Sequence, residues 1–182
     1  MNRLQKRNSA FEQLQKRGLI GQGTRLTDTN KYLIVDISGA SGIFPLMDSN
    51  TKKSVGVTNF DGNKLNAGRH LVIDGVKIEK ATGGTTKETA TFLGNTSLPA
   101  ELTNTEFRVE QKGLIPIDIP TLELNQRAEN TIGIKTRDFS TAPVLVASEE
   151  IGMFLQFPTG VTAPAGTIIR VSFDVHQIKT DN

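Results

Sequence analysis

The sequence has no cysteine, no tryptophan, one tyrosine and two histidines. Without cysteine, thiolate catalysis, cysteine-ligated zinc and a disulfide framework are excluded, although the compartment is not thereby fixed. Tyr32 and nine phenylalanines are the whole aromatic complement, and in the body of the chain the phenylalanines fall at alternating, core-like positions. That leaves little for a base-stacking platform on a sheet. No run approaches the roughly 18 consecutive apolar residues of a membrane-spanning helix. The opening MNRLQKRNSAFEQLQKRG lacks the apolar stretch of a secretory signal. The expectation is a chain synthesised in the cytoplasm of its host and soluble inside the cell, with no membrane-spanning segment.

What is present fits one folded unit. A chain of 182 residues is within the usual range of one domain. With 36% hydrophobic residues, it can bury roughly two thirds of its unfolded surface without disulfides. The net charge of +2 hides an asymmetry. Residues 1–25 carry Arg3, Lys6, Arg7, Lys16, Arg17 and Arg25 against Glu12, a net of +5, which leaves −3 on the remaining 157 residues. A basic end on a slightly acidic body suits an arm that meets nucleic acid or an acidic neighbouring subunit.

Leu4, Phe11 and Leu14 lie seven and three residues apart among polar side chains, which predicts a short amphipathic helix from about residue 3 to Arg17, stopped by Gly18. So thin a stripe does not hold a helix alone in water, so the helix is expected to dock on something while contributing little to the core. Residues 1–30 are expected to form this basic arm and a flexible Gly/Thr linker, and residues 31–182 the folded body.

From Tyr32 onward, short runs of β-branched and apolar residues alternate with Gly, Pro, Asn and Asp clusters. Strands are expected near 32–38, 42–47, 54–59, 71–80, 88–93, 106–112, 114–124, 131–136, 144–147, 153–157 and 167–179. Asp61-Gly62 and Asp74-Gly75 are tight-turn dipeptides, the second of which also suits a bulge within one long strand. In GLIPIDIPTLEL, Ile115, Ile117 and Ile119 alternate with Pro116, Asp118 and Pro120. Prolines cannot donate ladder hydrogen bonds, so this strand belongs on a sheet edge, where a partner is met. The last strand sets Ile169, Val171, Phe173 and Val175 on one face and Arg170, Ser172, Asp174 and His176 on the other. So many strands without interspersed helices argue for an all-β fold, a β-sandwich or jelly roll of two packed sheets.

Chemistry finds few footholds. His70 with Asp74, and His176 with Asp174, form two imaginable acid–base or ligand pairs, set against the simpler reading of polar strand positions. Glu149-Glu150 is the one adjacent carboxylate pair; neighbours on a strand point to opposite faces, and in a loop both usually face solvent. Gly21-Gln22-Gly23 has neither the third glycine nor the lysine of a phosphate loop, and residues 38–42 lack the order of a nucleophile elbow. A non-enzymatic protein with no catalytic residue, metal or cofactor is expected.

A basic helix-prone arm, a Gly/Thr linker and one β-domain with a proline-rich edge resemble the plan of single jelly-roll viral capsid proteins. The scarcity of Trp, Tyr and Cys, and loops such as LTNTEF and FPTGVTAPAGT, are similar to those of bacteriophage virion proteins. The resemblance implies a capsid shell subunit that self-assembles in the virion. Its partners would be copies of itself, other virion proteins and, through the arm, genomic nucleic acid. Arg3, Lys6, Arg7, Lys16 and Arg17 would meet nucleic acid or a neighbouring subunit; Leu4, Phe11, Leu14, Pro116 and Pro120 would meet subunits. The alternative from another class is a receptor- or carbohydrate-binding β-domain of a fibre, spike or adhesin.

Overall fold

A computed structural model describes residues 3–18, 24–93, 97–126 and 134–179 of the chain. Helix α1 (Arg3–Lys16) is followed by strands β1 (Arg25–Asp36), β2 (Ile43–Pro45) and β3 (Arg69–Lys80). A one-turn helix α2 (Ala100–Thr103) precedes β4 (Glu106–Gln111) and β5 (Leu114–Pro120). Then come a 3-10 turn (Thr121–Leu124), β6 (Arg137–Asp138), β7 (Val144–Leu145), β8 (Ile151–Gln156) and β9 (Ile168–Lys179). The strands form two antiparallel sheets packed as a β-sandwich. One has the order β1-β9-β3-β6, with β7 also on β3, and the other β2-β8-β4-β5.

The alternation in β9 does what the sequence implies. Ile169, Val171, Phe173 and Val175 point between the sheets, where one cluster of buried side chains draws on both. Phe173 sits at its middle, with Phe60 edge-on at 6.1 Å and Phe107 at 6.2 Å between ring centres. Phe107, Val109, Met153 and Leu155 supply the opposing face from β4 and β8. The polar groups between elements are tied down: the Asn125 amide donates to Ile78 O at 2.8 Å, and buried Gln111 bonds both N–H and C=O of Val146.

Asp74-Gly75 is a bulge within β3, not a turn: the register with β9 shifts between Ile73 and Gly75. A Cβ at Gly75 would lie 2.7 Å from Arg137 O, so only glycine lets β6 approach there. Asp61-Gly62 is not a hairpin either; it lies in the long connection from β2 to β3.

Four expected strands need correction. Residues 54–59 double back in a turn, with Thr58 N–H donating to Ser54 O, and cover the edge of β1 through Ile34 N–H to Val57 O and Asn59 N–H to Tyr32 O. Residues 88–93 form a loop in which Thr86 and Thr89 satisfy each other's backbone, a local competitor to strand pairing. The run 114–124 stops at Pro120, whose fixed φ suits the start of the 3-10 turn. Of 131–136, the first three residues lie outside the described ones, and the described remainder carries no strand.

The largest correction concerns the linker. Residues 25–30, expected to be flexible, form the first half of β1, with Arg25 opposite Lys179 and Asn30 opposite Asp174. They look like linker because Leu26 is the one apolar residue in Arg25–Asn30, too little to show a strand period. The body therefore begins about seven residues earlier than the hydrophobic pattern suggests.

Candidate assembly surface

The edge position of the proline strand is borne out among the described residues: β5 pairs with β4 alone and closes one side of the four-stranded sheet, while β2 closes the other. Pro116 is half-buried and Pro120 exposed. Ile117 enters the core, whereas Leu114 and Ile115, at the start of β5, remain 66% and 50% exposed. Leu122, just beyond the strand, is 55% exposed, and Ile43 on the opposite edge 66%. Both lateral edges of one sheet thus present exposed aliphatic side chains.

Helix α1 stops as its sequence predicts, with Gly18 at φ +66° donating to Gln15 O at 2.9 Å. What it docks on is its own chain. Leu14 is fully buried with Val72, Ala142, Val144 and Ile178 on the outer face of the five-stranded sheet. The Gln13 amide donates to Thr141 O at 2.8 Å. Leu14, expected at a subunit contact, is instead part of the intramolecular packing, because the sheet end beneath it is apolar. This also corrects the expectation that the helix adds little to the core. Phe11 is 40% exposed, and Lys16 and Arg17 are exposed. The side chains of Arg3, Leu4, Lys6 and Arg7 lie outside the described residues.

The fold brings two separately predicted features together. A groove of about 360 Å³ runs between the C-terminal end of α1 and the β4–β5 hairpin. Leu114, Ile115, Pro116, Pro143 and Val144 line it, with Arg17, Lys112 and Glu149 among its polar residues. Nothing in the sequence places residue 17 beside residue 116.

The outer face of the five-stranded sheet carries the remaining polar chemistry. At one end it is covered by α1. At the other, Ile34, Val57 and Ile168 pack with Ala81, Ala90 and Phe92. Between these lies a groove of about 480 Å³ whose lining includes Asn30, Tyr32, Lys77, Arg170, Ser172 and Asp174. Buried Glu79 accepts from Arg170 at 2.7 and 3.0 Å, and Lys77 stands 3.3 Å away.

The expected His–Asp pairs are re-sorted. The buried ring of His176 lies between Asp28, 2.5 Å from Nδ1, and Asp74, 2.8 Å from Nε2, joining β1, β9 and β3. Asp74 serves His176, not His70. His70 is also buried, and its Nδ1 accepts from Ala147 N–H at 3.2 Å. Burial holds its pKa below the ordinary value. Cross-strand register assigns these partners; only Asp28 opposite His176 is strictly in line. Glu149 and Glu150 lie just before β8, not on a strand, and meet Lys112 at 3.1 Å and Lys64 at 3.3 Å. Gly21-Gln22-Gly23 lies outside the described residues. Among those described, no helix is long and apolar enough to cross a membrane.

No family model, curated protein or solved structure matches the chain.

Proposed function

We propose that the protein is a virion structural protein, a non-enzymatic shell subunit of a virus-like or bacteriophage-like particle, built on a single jelly roll. Strand order is the observation that carries the fold. Taking β6 and β7 as one interrupted strand along β3, there are eight strand positions: the first pairs with the eighth, the second with the seventh, the third with the sixth and the fourth with the fifth. This nesting is what rolling one long antiparallel hairpin into two sheets produces, the architecture of many capsid, lectin and cupin domains.

Fold alone does not select among those uses; the edges favour assembly. Exposed Ile43 on β2 and exposed Leu114, Ile115 and Leu122 on or beside β5 lie at opposite sides of the same sheet. The β5 edge of one copy, with its groove, would receive the β2 edge of the next. Such a heterologous contact repeats, and symmetry closes it into rings or shells. The basic residues Arg3, Lys6, Arg7, Lys16 and Arg17 would act at nucleic acid or an acidic neighbour, giving assembly a salt dependence. A second reading, a glycan- or receptor-binding domain of a fibre or spike, rests on the polar groove around Tyr32 and Asp174.

Sedimentation of the full-length protein at low and high salt tests the proposal. Large, salt-dependent oligomers are expected, and Ile43→Glu or Leu114→Glu should each yield small species. Mixing the two variants should give capped heterodimers and nothing larger, since each retains one intact edge. A monomer under every condition, or normal assembly by Ile43→Glu, overturns it; a monomer retained on a glycan column replaces it with the second reading.

A further inference from the structure

One pocket carries chemistry that assembly does not use. It opens at the end of the sandwich, where inward positions of β1, β9 and β3 meet the β2–β3 connection, and it measures about 180 Å³. That is more than ten times the roughly 10–15 Å³ that one ordered water requires. Lys31, Lys53, Lys64 and Arg69 line it, with Asp61 the one carboxylate. Asn59, Asn66 and Gln177 add neutral amides.

The cations come from β1, β3 and the β2–β3 connection. Lys31 lies opposite Phe173 in the β1–β9 register and therefore shares its inward face. Its ammonium donates to Asn59 O at 3.1 Å and stands 5.5 Å from the centre of the Phe60 ring. An ammonium has three donors, so those two contacts leave it capacity toward the pocket. Arg69 begins β3, and Lys53 comes from the loop. Lys64 is paired with Glu150 at 3.3 Å, but among the described residues neither Lys31, Lys53 nor Arg69 has a carboxylate within salt-bridge distance.

We propose that this pocket is an anion site for a phosphate-type oxyanion, free or as the phosphate of a small ester, held by Lys31, Lys53 and Arg69. Arg69 supplies the planar fork that suits two phosphate oxygens, and the lysines act as point charges. Burial, then the charges of Lys53 and Arg69, lower the pKa of Lys31. An inward lysine on an edge strand also discourages edge-to-edge pairing, but that role alone needs neither Lys53 nor Arg69 beside it. The inference does not rest on the assembly reading.

Calorimetric melting and titration at pH 7 and fixed ionic strength test it. Inorganic phosphate should raise Tm saturably over matched chloride. Lys53→Gln and Arg69→Gln, both at exposed positions, should weaken phosphate binding tenfold or more. In chloride, Lys53→Gln should melt no lower than wild type, because it relieves repulsion. Ribose 5-phosphate is the second arm: binding ten times tighter than phosphate assigns the site to an ester, and equal binding to free phosphate. No phosphate effect beyond chloride, or an effect unchanged in both variants, overturns the proposal.

Discussion

The two sheets of this sandwich differ in strand length and in where their apolar side chains go. In the five-stranded sheet β1, β3 and β9 are each 12 residues long. Its inner face fills the core, and its outer face is capped by α1 at one end and by residues 81–92 at the other. The four-stranded sheet has strands of three to seven residues, and its two edges carry much of the exposed aliphatic surface. The long sheet spends its apolar side chains within the chain. The short one leaves Ile43, Leu114 and Ile115 exposed along its edges.

Substitutions that strike the two sheets unequally sharpen this contrast. The largest effect is expected at Phe173, where the sheets meet: Phe173→Ala should cost about 3–5 kcal/mol in urea unfolding. A loss under 1 kcal/mol would mean that the central cluster is not the common core. Next comes Leu14→Ala, expected to cost about 2 kcal/mol, the low end for a buried leucine because the helix packs at a sheet end. No loss there would return α1 to the status of a free arm.

The smallest effect is a pH dependence at His70. Its folded pKa is lowered by burial from the ordinary 6.5, so the unfolded chain binds the proton more readily. Stability from neutral His70 is full above that ordinary value and declines as pH falls through it toward the lower folded value. The contact agrees, because Nδ1 accepts from Ala147 N–H and has no lone pair to offer once protonated. His70→Gln should flatten this part of the Tm profile between pH 7.5 and 5; an unchanged slope would remove His70 from the account.

Much of the fold is legible in local pattern. The period of two in Ile169, Val171, Phe173 and Val175 specifies a half-buried strand, because only one face of β9 meets the other sheet. Pro116 and Pro120 mark an edge, because a residue without an N–H cannot sit in mid-ladder. Residues 25–30 escape the same reasoning. Their pairing partner lies about 150 positions away, and a single apolar residue, Leu26, leaves no period to detect. The bulge at Gly75 is suggested by its dipeptide, but what decides it is the approach of Arg137.

The candidate sites divide in the same way. Sequence alone determined a β-rich body, a basic helical N-terminus and an edge strand with prolines, since composition, periodicity and missing N–H groups act within a few residues. Only the tertiary structure decided that Leu14 closes on its own sheet, that Arg17 shares a groove with Pro116, and that Asp28 and Asp74 both reach His176. It likewise gathered Lys31, Lys53 and Arg69 around one pocket. Those meetings depend on nested strand pairing, which joins the first strand to the last, and no local propensity encodes which distant partner a strand will find.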